Sequence, residues 1–212
     1  MREADAQRLT DAIKHDFPRI EPDTGFPWDA NPPVKIVDCV LSLNRRYYAV
    51  VRPRVLEFRH RFASVTSCAD LRELIGGFAA PSAFLEQTLR TRDARRAETL
   101  VGVTNYAIDI QRRFAGTSEE ERLRQWALWA RPGDYLSVGV PGFGLAGFQY
   151  LRMLFGAQTT KPDVHIVGYV SKVLGRTVSD IGALYTLERA AEIANLPLRW
   201  LDAAIWTQSA RQ

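Results

Sequence analysis

The sequence predicts an all-α protein. Apolar residues recur at helical spacing through most of the 212 residues, and several of these segments begin at a Ser, Asp or Pro, which are typical of helix N-termini. No segment shows a convincing period-two strand. The hydrophobic content of 46% is sufficient for a substantial core, so we expect a single folded unit over residues 1–212.

In the first half of the chain, apolar spacing and chain breaks define the helices. The first runs from 3 to 17 and ends at Pro18, because proline cannot continue a helix. Residues 18–33 have the Pro, Asp, Gly and Asn content of a loop. Further helices are predicted within 34–61 with breaks near Asn44 and Pro53, at 70–75 before Gly76-Gly77, at 81–89 and at 92–113.

In the second half, capping signals mark the helix starts. Ser118 followed by Glu121 is a capping box that opens a helix ending before Pro132-Gly133. A short helix at 135–138 and a longer one at about 145–155 follow. Asp163, Ser179 and Pro197 then each stand at the start of another apolar pattern.

Charge and composition narrow the class of protein. The net charge is +4 with a pI near 9.3, and most basic residues are arginine, which suits phosphate contact; a GC-rich genome explains the same bias equally well. No apolar run reaches the length of a membrane helix, so we expect a soluble, cytoplasmic protein without membrane contact. Cys39 and Cys68 are too few for an iron–sulfur cluster or a Cys-rich zinc site.

A Pro-Gly-Phe-Gly turn at 141–144 leads directly into the helix at about 145–155. Two glycines two positions apart allow a tight turn and let a sugar-phosphate approach, so that backbone N–H groups can donate to phosphate oxygens. The alternative is an ordinary glycine-rich connection between two helices.

Asp163 has a structural and a chemical interpretation. An aspartate after proline at a helix start is an N-cap worth about 1 kcal/mol. The helix dipole also favours its ionised form, and a carboxylate beside a sugar ring can stabilise an oxocarbenium ion or orient water while an N-glycosidic bond breaks. The two roles are compatible.

Taken together, Val140 to Gly144 and Asp163 resemble the helix-hairpin-helix DNA glycosylase superfamily, in which a hydrophobic-Pro-Gly-hydrophobic-Gly hairpin precedes a catalytic aspartate. The close match covers about 35 residues. It implies a two-lobed helical fold with the active-site cleft between the lobes. We expect 34–60 and the C-terminal helices in one lobe, 68–156 in the other, and the helix-hairpin-helix at about 134–156.

The resemblance also assigns residues. Gly142, Phe143, Gly144 and Ala146 fall on the DNA-contacting hairpin, and Ala146 stands where bifunctional members carry a Schiff-base lysine. It therefore implies a monofunctional enzyme that leaves an abasic site. It implies no cofactor or catalytic metal, apart from a monovalent cation that such hairpins hold between their carbonyls and the phosphate.

A second, looser match is Leu41-Ser42-Leu43-Asn44, which resembles the family's Leu-Ser-x-Gln segment and puts Asn44 where a side chain fills the gap left by a flipped nucleotide. It favours DNA contact for Asn44, Arg45 and Arg46 over a solvated helix face. We expect Lys161 to contact DNA as well.

The base pocket is assigned to aromatic residues that could stack on an extruded base: Phe26, Trp28, Tyr47 and Tyr48. The alternative for Phe26 and Trp28 is a loop folded back on the core as a lid. We expect His165 to be a structural histidine, because it points away from Asp163 on the same helix.

The sequence thus predicts a monomeric DNA glycosylase acting on double-stranded DNA with a damaged or modified base. Two alternatives remain: a non-catalytic helix-hairpin-helix DNA-binding protein, and a helical interaction protein with a coincidental hairpin. The pattern does not specify which base is removed.

Overall fold

A computed structural model describes residues 3–210 of the chain. Over this range the regular secondary structure is entirely helical, which confirms the all-α prediction. The chain divides into two compact units: the described parts of Met1–Thr24 and Ala157–Gln212 form the first, and Gly25–Gly156 forms the second. Residues 34–60, which we had grouped with the C-terminal helices, lie in the second unit together with 68–156.

The first unit consists of four helices: α1 (Glu3–Asp16), α9 (Val164–Leu174), α10 (Asp180–Ala194) and α11 (Leu198–Ala210). Helix α9 packs against α1, α10 and α11, and α1 also packs along α10. Their apolar faces form one buried core that includes Leu9, Ile166, Leu187 and Leu201. Burial of these faces is the main favourable contribution to the stability of the unit.

The second unit contains seven α-helices: α2 (Pro32–Leu41), α3 (Arg52–Arg61), α4 (Cys68–Gly76), α5 (Pro81–Leu89), α6 (Ala94–Gln111), α7 (Glu119–Trp129) and α8 (Leu145–Leu154). A π-helical turn (Tyr47–Val51) precedes α3, and a 3-10 helix (Pro132–Ser137) precedes the turn into α8. Helix α6 is central, because α2, α4, α5 and α7 all pack against it.

Two local predictions were wrong in detail. Pro53 does not break a helix; it lies in the first turn of α3, where its missing N–H is not needed. The capping box at α7 is only half formed: Ser118 accepts from the Glu121 amide, but the Glu121 carboxylate accepts from the Thr117 amide at 2.8 Å. The helix starts where expected all the same.

Candidate nucleic-acid interface and candidate catalytic carboxylate

The chain turns sharply between the 3-10 helix and α8. Gly142 has a φ of +79°, in the left-handed region that a residue with a Cβ rarely adopts. The amide of Phe143 donates to the Val140 carbonyl at 3.1 Å and closes the turn, while the Phe143 side chain is buried. The phenylalanine therefore anchors the hairpin to the core and leaves Gly142 and Gly144 exposed.

The hairpin rests on helix α6. The Thr99 hydroxyl donates to the Pro141 carbonyl at 2.7 Å. A Cβ added to Gly142 would lie 3.0 Å from that same hydroxyl oxygen, which is closer than ordinary van der Waals contact. Glycine is thus required at position 142 by its backbone conformation and by the approach of Thr99.

Helix α8 begins without a side-chain cap. Its N-cap is Gly144, which offers no side-chain acceptor to the amides of the first turn. Uncapped amides at the positive end of a helix dipole attract anions. Ala146, in this first turn, is half-buried and supplies no amine.

Residues 42–46, which follow α2 and carry the predicted DNA contacts Asn44, Arg45 and Arg46, are called the wedge loop here. Arg96 of α6 holds this loop. Its guanidinium donates to the carbonyl of Leu43 at 2.9 Å and to that of Val40 at 2.6 Å, which also accepts from the Leu43 amide at 3.4 Å. Arg96 thus places a charged donor at the end of α2. Asn44 is exposed in this loop with a φ of +52°. Arg96 was not predicted from the sequence, because no local pattern distinguishes it from the other arginines of α6.

The neighbouring arginines of the loop differ in their surroundings. Arg45 lies 3.4 Å from the Asp93 carboxylate, which also receives Arg96 Nε at 3.1 Å. The Arg96 backbone amide is the largest influence that lowers the pKa of Asp93 below its ordinary value. Arg46 is exposed. Asp93 itself was identifiable as the N-cap of α6.

The wedge loop and the hairpin meet at Gly147 of α8. A Cβ at this position would lie 2.9 Å from Phe143 Cδ2 and 3.0 Å from Leu43 Cδ2, so the two side chains pack directly on the glycine. The structure therefore brings together the two segments predicted to contact DNA, residues 44–46 and 142–146.

The four predicted pocket residues have different environments. Tyr47 donates its hydroxyl to Asp38 at 2.9 Å, and burial raises its pKa. Tyr48 is 61% exposed and lies edge-on to Tyr47. Phe26 and Trp28 are half-buried, and the Arg52 guanidinium stands 6.0 Å from the Phe26 ring.

Asp38 itself was not predicted. It is fully buried on α2 and accepts from Tyr47 and, at 2.6 Å, from Tyr150 of α8. Burial and the Asp38 charge raise the pKa of Tyr150 well above its ordinary value. Tyr47 is therefore fixed by its phenol, whereas the Tyr48 side chain is mostly exposed to solvent.

Asp163 lies in the first unit as the N-cap of α9. Its Oδ1 accepts from the amide of His165 at 3.0 Å and, more weakly, from that of Ile166 at 3.4 Å. Its Oδ2 stands 3.8 Å from Lys161 Nζ, and the side chain is 17% exposed. One oxygen is thus fixed by the helix while the other faces a cation near the surface.

Two further residues surround this carboxylate. The His165 ring lies edge-on to Trp206 of α11, with 5.6 Å between ring centroids. Asp202 of α11 is buried and accepts from the Thr160 hydroxyl and from the Lys161 amide. Burial raises the pKa of Asp202 to about 7, and the nearby Asp163 charge contributes to this shift. The sequence pattern had suggested only an apolar helix here.

The monovalent cation that the resemblance implies would lie at the hairpin carbonyls. Two hairpin carbonyls, those of Val140 and Pro141, already accept hydrogen bonds, which leaves each a second lone pair for a monovalent cation. Within residues 3–210, no group of three His, Cys, Asp or Glu side chains could hold a metal ion. No helix in the same range is long and apolar enough to cross a membrane.

Part of the chain matches a protein-family model. Residues 134–210 are similar to a family described as a domain of unknown function, DUF8548. No curated protein and no solved structure matches the chain. The matched segment contains the hairpin, Asp163 and Asp202.

Proposed function

We propose that the protein is a monofunctional helix-hairpin-helix DNA glycosylase, which extrudes a damaged or modified base from duplex DNA and hydrolyses its N-glycosidic bond. The observation that carries this proposal is the geometry of Asp163. The α9 amides hold one carboxylate oxygen, and the other oxygen faces Lys161 near the surface. A fixed and partly exposed carboxylate is suited to stabilising positive charge on a sugar.

The hairpin supports DNA binding. Its exposed glycines and the uncapped first turn of α8 present backbone N–H groups to a phosphate. The wedge loop beside it carries Arg45 and Arg46, and an exposed Asn44 that would fill the gap left by the extruded nucleotide. Extrusion costs a few kcal/mol, which these contacts would offset.

In the proposed reaction, the bond between C1′ of the sugar and the base nitrogen breaks, and the base leaves with the bonding electrons. The Asp163 carboxylate stabilises the oxocarbenium ion that remains. Water then adds its oxygen to C1′; one of its protons stays on the new hydroxyl and the other is transferred to the departing base. Because Ala146 has no amine, no Schiff base forms at this position and the strand stays intact.

Base release is tested with a panel of duplexes that each hold one lesion: an alkylated purine, a deaminated base, an oxidised guanine mispair or a modified phage base. Hot alkali then cleaves any abasic site. Asp163→Asn should keep the helix cap and DNA binding but abolish release, because asparagine caps equally well without a charge. Asp180→Asn is the matched control, since Asp180 is an exposed carboxylate in the first turn of α10.

Other outcomes identify the alternatives. Salt-dependent binding, with a slope of about 0.9 per phosphate contacted, but no abasic product on any duplex indicates a non-catalytic DNA-binding protein. Absence of salt-dependent affinity indicates a helical interaction protein. Release at the wild-type rate by Asp163→Asn contradicts the proposed mechanism.

A further inference from the structure

A buried carboxylate stands behind the proposed catalytic segment. Asp202 of α11 is only 8% exposed, and its Oδ1 accepts from the Thr160 hydroxyl and, at 2.9 Å, from the Lys161 backbone amide. Thr160 is fully buried. The contact therefore ties α11 to the residues just before α9, across 41 positions of sequence.

The chain between this contact and Asp163 is short. Only Pro162, which is buried, separates Lys161 from Asp163, and the Asp163 amide donates to the Lys161 carbonyl at 2.7 Å. The proline restricts the backbone further, because its ring fixes φ. Residues 160–163 are thus held by Asp202 at one end and by the α9 cap at the other.

The fixed segment carries two charged side chains that face each other, Lys161 and Asp163, with 3.8 Å between Nζ and Oδ2. The α9 amides hold only Oδ1 of Asp163. The direction of Oδ2 and the location of the Lys161 ammonium depend on the backbone that Asp202 holds. Burying a carboxylate costs free energy unless it accepts hydrogen bonds. The buried Asp202 carboxylate accepts two, from the Thr160 hydroxyl and the Lys161 amide, and both bind the same oxygen, Oδ1.

We propose that Asp202 is a positioning residue for base release: it holds residues 160–161 so that Asp163 and Lys161 keep the orientation that the reaction needs. This inference rests on the proposed glycosylase function. Asp202 acts through the Thr160 hydroxyl and the Lys161 amide, and does not itself contact the DNA.

The test compares three variants with the wild type. The rate of base release is measured in single turnover at saturating duplex, and the equilibrium dissociation constant is measured for the same duplex. Asp202→Leu removes the acceptor, and we expect the rate to fall by about 10- to 100-fold with the dissociation constant within about threefold, because small misplacement of a reacting group is costly. Asp202→Asn keeps an acceptor oxygen and should retain the rate within about threefold. Thr160→Val removes one bond and should lower the rate about 3- to 10-fold, which keeps the test available if Asp202→Leu does not fold.

Leu201→Ala is the matched control, because Leu201 is buried next to Asp202 on α11 and contributes only packing. It should lower the melting temperature and leave the rate unchanged. A wild-type rate in Asp202→Leu or Thr160→Val, or an equal loss of rate in Leu201→Ala, overturns the positioning role. An inactive wild type or an active Asp163→Asn instead overturns the proposed function, so the two failures are distinguishable.

Discussion

The guanidinium of Arg96, in the first turn of α6, donates a 2.6 Å hydrogen bond to the carbonyl of Val40, in the last turn of α2. The same side chain reaches the Leu43 carbonyl, and it is only 12% exposed. One arginine therefore ends a helix, shapes the wedge loop and joins two helices of the core.

Replacing this arginine should be costly. Arg96→Met should lower the free energy of unfolding by about 2–4 kcal/mol, because it removes the charged donor from the partly buried carbonyls of Val40 and Leu43. Denaturant titration measures the change. Arg92→Met is the control: its ion pair with Glu86 is exposed and should be worth less than about 1 kcal/mol. Similar losses in both variants would contradict the capping role.

Gly142→Ala should destabilise the hairpin. The left-handed backbone costs an alanine about 1–2 kcal/mol, and contact with Thr99 adds to this. The same variant should bind duplex DNA more weakly if the hairpin contacts phosphate. Gly133→Ala, where an added Cβ meets no atom within 4 Å, should change the unfolding free energy by less than about 0.5 kcal/mol. Unchanged stability of Gly142→Ala would show that the turn tolerates a side chain.

Asn44→Gly removes the side chain of residue 44 and should leave the backbone of the wedge loop unchanged. Glycine accepts a φ of +52° without strain, so the free energy of unfolding should stay close to that of the wild type. If Asn44 fills the gap left by a flipped nucleotide, extrusion should weaken, and 2-aminopurine placed beside the lesion should show a smaller rise in fluorescence on binding. An undiminished rise would argue against the wedge role.

Asp202 should make stability depend on pH. Burial raises its pKa from 3.8 to about 7, so the folded state binds this proton more tightly than the unfolded state. The stabilisation of the folded state by this bound proton is present in full below about pH 4 and is lost as the pH rises through about 7. The free energy of unfolding changes by an amount on the order of 4 kcal/mol.

The difference in unfolding free energy between the wild type and Asp202→Asn, measured from pH 4 to 8, isolates this contribution. As the pH rises, the wild type should lose unfolding free energy relative to Asp202→Asn. Leu201→Ala keeps Asp202 and removes no titrating group, so its loss of unfolding free energy relative to the wild type should be about equal at each pH. A difference between wild type and Asp202→Asn that does not vary with pH would contradict the shifted pKa.

Much of the fold could be predicted from local signals. The apolar spacing located the helices, and Ser118, Asp163 and Ser179 were identified as N-caps because a cap and its amides lie within three residues of each other. The hairpin and the candidate carboxylate were identified in the same way, since each depends on residues adjacent in sequence.

The helical class, the helix starts, the glycine turn and the position of Asp163 all follow from signals local in the sequence. The polar side chains that support these features depend on how the helices pack. Arg96 binds the wedge loop, Asp38 accepts from Tyr47, and Asp202 accepts from the Lys161 amide. The Arg96 and Asp202 contacts join residues 56 and 41 positions apart. An isolated charge within an apolar helix does not show whether it faces solvent or a buried partner, because that depends on which helices pack together.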